Sequence, residues 1–271
     1  MFLLITVGIN SGIQKFLIFN CLFLGLISSC VPEADRQSHQ AEIIISAATS
    51  MQNALEEIKI LYQQKHPQAK IVFNFGSSGS LQHQIEQGAA VDLFISAAPQ
   101  QMNHLAAKKL LLSQTRHDLA QNKMVLIVPR NNQSIDSFAD LAEQSVEQIA
   151  LGEPTTVPAG KYAQEILTSL DLIDEVKPKA IYGTDVRQVF NYVATGNTEA
   201  GIVYRTEALD NQEVKIVDIA PENTYSPIVY PVAIIKQSKN IQAAKQVLQF
   251  LLTKEAQAIF QRNGFTPLSR K

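Results

Sequence analysis

Cysteine is nearly missing from this sequence: Cys21 and Cys30 are the only two in 271 residues. With none beyond position 30, the body of the chain has no pair for an internal disulfide and lacks the Cys/His spacing of a zinc site. Histidine occurs only at His39, His66, His83, His104 and His117, never in the second half. That disfavours a serine hydrolase, whose base usually lies late in the chain. An excess of one charge is missing too: 23 basic and 25 acidic residues leave a formal charge of −2, with no basic run or stripe. The electrostatic footprint of a nucleic-acid binder is therefore absent. A small anion, if it is the ligand, must be held by local geometry rather than by bulk attraction.

Residues 1–29 contain one charge, Lys15, and no acid. The run from Phe16 to Ile27 is apolar apart from Asn20 and Gly25, and Ser28, Ser29 and Cys30 follow it. A cation, a short apolar run and small residues make the pattern of a secretory signal. The run is shorter than the roughly 20 residues of a spanning helix; a short membrane span or a misplaced start codon are the alternatives. Ile-Ser-Ser before Cys30 resembles a bacterial lipobox, which implies cleavage ahead of Cys30 and lipidation of that residue. The expectation is a signal peptide over residues 1–29, a polar tether over 30–40, and a periplasmic or cell-surface protein anchored to the membrane through its N-terminal lipid.

From residue 41 onward, short apolar runs alternate with segments of helical period. Strands are expected at Ile43–Ala47, Lys70–Phe75, Val91–Ser96, Met124–Val128, Gln148–Leu151, Lys179–Tyr182, Gly201–Tyr204, Val214–Asp218 and Val232–Ile235. Helices are expected at Asn53–His66, Gly160–Leu170, Asp185–Thr195 and Ile241–Asn263, the last stopped by Gly264. Such alternation implies parallel sheets covered by helices. Polar or proline-marked breaks at Asp118–Lys123 and Glu222–Pro231 divide the chain into two lobes. Residues 41–121 with 232–271 form the first, and residues 122–231 the second.

Four strand-to-helix junctions share one chemistry: Ile45–Met51, Phe75–Ser80, Gly152–Gly160 and Tyr182–Arg187. Each sets small or hydroxylated residues where a helix begins. A helix start offers free N–H groups and the positive end of the dipole, which suits an anion. Ser and Thr add hydroxyl donors. Taken singly, each junction is explained by helix capping. Four become informative only if they meet in space. Asp92 reads as a buried carboxylate bonding backbone N–H groups, and Asp185 and Arg187 as a cap or an ion pair.

The strings Ser46-Ala-Ala-Thr-Ser50, Phe75-Gly-Ser-Ser-Gly-Ser-Leu81 and Gly88-Ala-Ala-Val-Asp92-Leu-Phe-Ile-Ser96-Ala97 resemble the periplasmic molybdate-binding proteins of ABC importers. So do Val157-Pro-Ala-Gly-Lys-Tyr162, Asp185-Val-Arg187, Gly201-Ile-Val-Tyr204 and Ile259-Phe-Gln-Arg-Asn-Gly-Phe265. The ordered set spans about Ile43 to Phe265. Gly79 and Arg205 stand where that family also shows a serine and a small residue. The resemblance implies an α/β, two-lobed periplasmic-binding-protein fold of type II, each lobe a mixed, mostly parallel sheet flanked by helices. It implies a molybdate or tungstate ligand held by neutral donors. Ser50 and Ser78 would give hydroxyl and backbone N–H groups, Ala159 and Val186 backbone N–H groups, and Tyr204 its phenol. No protein atom would bond the molybdenum itself. No cofactor and no catalytic residue are implied. The partners would be the oxyanion and a membrane permease, with the chain a monomer. Another tetrahedral oxyanion, such as sulfate, is the alternative ligand.

Enzyme readings fit less well. Gly76-Ser77-Ser78-Gly79-Ser80 breaks the Gly-x-Ser-x-Gly elbow at its last position. Gly160-Lys161 is followed by Tyr162 and has no glycine five residues earlier, so it is not a P-loop. A porphobilinogen deaminase has a similar two-lobed fold but needs an interior cysteine, which is lacking here.

Overall fold

The computed structural model describes residues 42–209 and 211–268, all within one compact unit, His39–Lys271. The expected signal peptide, the tether and Cys30 lie outside the described residues. The first half runs β1 (Glu42–Ala48), α1 (Gln52–Lys65), β2 (Lys70–Gly76), α2 (Ser78–Glu86), β3 (Leu93–Ile95), α3 (Pro99–Ala107) and β4 (His117–Gln121). The chain then crosses to β5 (Met124–Pro129), β6 (Ile149–Gly152), α4 (Pro158–Ser169), α5 (Ile173–Val176), β7 (Ala180–Gly183), α6 (Val186–Ala194), β8 (Ala200–Tyr204), α7 (Arg205–Ala208) and β9 (Val214–Ile219). It returns with β10 (Val229–Ile234) and ends in α8 (Ile241–Leu251) and α9 (Lys254–Arg262).

Two five-stranded sheets result, ordered β2-β1-β3-β10-β4 and β7-β6-β8-β5-β9. The two orders match: in each, the last strand of a β-α-β-α-β run, β3 or β8, lies beside a strand supplied after a crossing between lobes, β10 or β5. Each sheet has two parallel and two antiparallel pairings. Four of the five strands in each sheet therefore run in one direction, as expected of a mixed, mostly parallel sheet. The crossing strands β5 and β10 run against the βαβ strands because they enter from the other lobe. β10 begins at Val229 and already belongs to the first sheet. The return to lobe one thus falls ahead of residue 232, the boundary drawn from the prolines.

Burial follows the hydrophobic pattern. Met124–Val128 and all of β8 are buried, as an interior strand covered on both faces requires. On α6, Val186, Val189, Phe190 and Val193 form one buried stripe. Two expectations fail. His117–Gln121, read as part of a polar break, is an edge strand paired with β10; only Leu119 and Ala120 of it are buried, too little to mark a strand in sequence. Ile241–Asn263, read as one helix, is two, because Thr253 adopts an extended conformation and its side chain caps α9 through the Ala256 N–H. Buried Asp92 accepts from the Ile44 N–H at 2.8 Å and the Ser238 hydroxyl at 2.6 Å, tying β1 to the segment before α8. Its expected backbone partner is thus a strand N–H, with a side-chain hydroxyl beside it.

Candidate functional site

The parallel strands of both sheets deliver their carboxyl ends to one small cavity. Its wall includes Ala48–Ser50 after β1, Gly76–Ser78 after β2, Ala97 after β3, Val157–Ala159 at the start of α4, Asp185 and Val186 after β7, and Tyr204 at the end of β8. Ligands of open α/β sheets sit in this position. All five residues singled out in the sequence, Ser50, Ser78, Ala159, Val186 and Tyr204, lie on this wall and all are buried. The cavity is small, about 210 Å³ of empty space counting its opening to solvent. Organic-ligand pockets typically run from about 300 to 1,000 Å³. This one is smaller.

Capping, the mundane explanation of each junction, is separable from the groups facing the cavity. At α2 the cap is Ser77, whose hydroxyl accepts the Ser80 N–H at 3.3 Å. Ser78 is the first helical residue, so its own N–H has no partner within the helix. Its hydroxyl oxygen accepts the Ala97 N–H at 2.9 Å, which leaves the hydroxyl proton to donate. Val157 precedes α4 and has no side chain that could cap. Pro158 has no N–H, so Ala159 presents the first backbone donor of that helix. At α6 the cap is Asp185, which accepts the Gln188 N–H at 3.0 Å and leaves the Val186 N–H outside the cap. The close approach of α4 to β6 depends on Gly160, where an added Cβ would stand 2.0 Å from the Gly152 oxygen.

The hydroxyls are positioned by partners from distant parts of the chain. Ser50 lies in a short 3₁₀ turn, and its Oγ is 3.0 Å from the Tyr230 hydroxyl. Asn122 Nδ2 donates to that same phenol at 3.1 Å and to Thr206 Oγ1 at 2.9 Å, joining the two lobes where the chain first crosses. Either hydroxyl can donate in this pair; when Tyr230 donates to Ser50 Oγ, the Ser50 hydroxyl hydrogen is available to the cavity. The Tyr204 hydroxyl is fully buried and has no protein partner, and the same holds for Thr49 Oγ1. Burial, reinforced by Tyr230, Tyr162 and Glu207, raises the Tyr204 phenol well above its ordinary value of 10.0. It stays a donor across the neutral range. Edge-to-face contacts Tyr162–Tyr204, Tyr204–Tyr230 and Tyr230–Phe265, at 6.4, 5.9 and 5.3 Å between ring centres, back the site with aromatic surface. No lysine or arginine lines the cavity. Among the described residues, no group of His, Cys, Asp and Glu side chains could hold a metal ion.

The model of the bacterial extracellular solute-binding proteins matches residues 43–266. The chain belongs to that family. Among its relatives, Bacillus subtilis YvgL is 46% identical, with 89% of this chain and 93% of that one covered; its name places it provisionally among the substrate-binding lipoproteins of ABC transporters. The molybdate-binding protein ModA of Haemophilus influenzae is 35% identical, with 83% and 90% covered. The solved periplasmic molybdate-binding protein of Azotobacter vinelandii superposes with a TM-score of 0.77 at 24% identity, covering 84% of this chain and all of that one, a likeness of fold.

As an extracellular solute-binding protein, the chain is not an enzyme. Two contacts bridge the cleft: the Gly79 N–H donates to the Thr156 carbonyl at 3.0 Å, and Lys161 Nζ donates to Gln100 Oε1 at 2.7 Å. Asp185 is the cap, and Arg187 is the ion-pair member, with Nε 3.5 Å from Glu207 Oε2. Sequence reading passed over Thr49, Asn122, Glu207 and Tyr230. Thr49 lay within a quoted string and could have been weighed beside Ser50. Asn122 and Tyr230 act over 84 to 180 residues of separation, and Glu207 pairs with Arg187 of a different helix, which no local pattern reports.

Proposed function

We propose that this protein is the extracytoplasmic binding component of an ABC importer and that it captures molybdate or tungstate between its lobes. One observation carries the reading. Ser50, Ser78, Ala159, Val186 and Tyr204 come from five separate segments of both lobes and meet on one small cavity with no cation in its wall. A desolvated dianion needs every lost water bond replaced. Hydrogen bonds from fixed neutral donors to a charged acceptor contribute about 1.5–3 kcal/mol each. The ends of helices α2, α4 and α6 add diffuse positive potential. ModA relatives support molybdate as the solute.

Capture proceeds by closure. The oxyanion first meets one lobe, and the second completes the donor set. A permease then engages the closed form. Anchoring through a lipid on Cys30 keeps the protein at the membrane surface.

Thermal melting of the purified protein with molybdate, tungstate, sulfate or phosphate tests the reading. A ligand at about 100 times its Kd adds about 2.7 kcal/mol, several degrees in Tm. Molybdate and tungstate should each raise Tm, with sulfate and phosphate silent. A rise with sulfate alone would keep the site and change the ligand. No rise with any oxyanion would reject the site.

A further inference from the structure

Glu207 follows Tyr204 by three residues and is buried behind the cavity, its side chain 2% exposed. Its Oε1 has no hydrogen-bond partner, and neither has the Nε of Arg187 that faces Oε2 at 3.5 Å. Arg187 adjoins the cavity residue Val186, and Asp185 lies on the cavity wall itself. A carboxylate this deep, with one oxygen unbonded, is poorly compensated. A dianion in the cavity beyond Tyr204 adds like charge near it.

Glu207 faces few other charges. From α6 come Arg187 and the like-charged Asp185. Tyr204 of β8 and Tyr230 of β10 lie close enough to feel it. β5 carries no titratable side chain. On β9, Asp218 is held by the Phe138 and Ile219 N–H groups, and Lys215 sits at the far end beside Val128. Burial, eased by Arg187 and aggravated by Asp185, pushes the Glu207 carboxyl up to about 7.

We propose that Glu207 is a proton-linked positioning residue of the oxyanion site: the bound dianion and the ionised Glu207 carboxylate exclude one another, so ligand binding takes up a proton from solvent onto Glu207. This rests on the reading of the cavity as an oxyanion site. With Glu207 neutral, the positive charge of Arg187, beside the start of α6, is left to the ligand. Linkage is reciprocal, so the affinity falls as pH rises, by at most about tenfold per pH unit, the limit for one proton.

The test is titration calorimetry of the purified protein with molybdate and with tungstate, at about pH 6 and about pH 8.5, in buffers of differing ionisation enthalpy. Keeping both anions dilute avoids their acid condensation at the lower pH. The expected result is proton uptake near neutral pH, a weaker Kd at the higher pH, and loss of both effects in Glu207→Gln. Binding with equal Kd at both pH values and no buffer dependence overturns the proposal and leaves the oxyanion site standing. An undiminished pH effect in Glu207→Gln assigns the proton elsewhere and also overturns it. The wild-type proton count needs no variant, so poor folding of Glu207→Gln does not shield the proposal. Absence of binding at either pH would reject the oxyanion site and this inference together.

Discussion

Gly79 in α2 and Thr156 ahead of α4 touch across the cleft, the N–H of one bonded to the carbonyl of the other at 3.0 Å. A Cβ on residue 79 would stand 2.5 Å from that oxygen and 2.8 Å from the Thr156 Cα. Backbone cannot yield as a side-chain tip can, so glycine is what allows the two lobes to meet here. The contact favours closure and spends none of the ligand's own donors.

Gly79→Ala should therefore prop the lobes apart. The expected outcome is a Kd for molybdate weakened about tenfold, about 1.4 kcal/mol, mainly through faster release. The melting temperature of the ligand-free protein should change little, since alanine suits a helix better than glycine. Stopped-flow release kinetics checks this; unchanged release would mean that closure does not need the contact.

The Tyr204 phenol separates binding from stability. Because the hydroxyl is buried without a partner, Tyr204→Phe removes an unsatisfied group from the ligand-free protein. Its Tm should stay the same or rise. Oxyanion affinity should fall about 10- to 100-fold, the loss of one hydrogen bond to a charged group. Lower Tm with unaltered affinity would remove Tyr204 from the site.

Ser50 and Ser78 should behave differently from each other. Ser78→Ala strands the buried Ala97 N–H and should cost about 1–3 kcal/mol of stability besides weakening binding. Ser50→Ala leaves Tyr230 its bond from Asn122 and should cost about 1 kcal/mol or less. Urea denaturation of the two ligand-free variants distinguishes these outcomes, and equal losses would contradict the assignment of hydroxyl roles.

How much of this was legible beforehand depended on distance along the chain. β5 and β8 were visible because interior strands read as unbroken apolar runs. The junctions at Ser50, Ser78, Ala159 and Val186 were visible because helix starts demand small, capping or hydroxylated residues. That they converge was not visible: each junction alone is satisfied by a cap, and only the matching order of the two sheets brings them together. β4 was hidden because an edge strand with two buried residues has no periodic signature. Glu207 was hidden for a different reason. A glutamate in a four-residue helix looks solvated, and its burial arises from the packing of α7 against α6, β5, β8 and β9.

Glu207 also sets a pH dependence of stability. Its carboxyl rises from 4.5 to about 7 in the folded protein, through burial first and Asp185 second, against the pull of Arg187. Between those values the native state holds a proton that the unfolded chain releases. Stability should therefore decline as pH rises through that window, by about 3 kcal/mol from this group. Glu207→Gln should flatten the decline. Denaturant midpoints of the two proteins on either side of the window measure it; parallel pH profiles would show that Glu207 does not titrate there.

The most direct measurement is a crystal structure of the protein grown with molybdate, with the metal located by its anomalous scattering. The expected result is one molybdenum peak inside the cavity, its oxygens within hydrogen-bonding distance of the Ser50 and Ser78 hydroxyls, the Ala159 and Val186 N–H groups and the Tyr204 phenol. An anomalous peak elsewhere, or a cavity empty at saturating molybdate, would contradict the assignment.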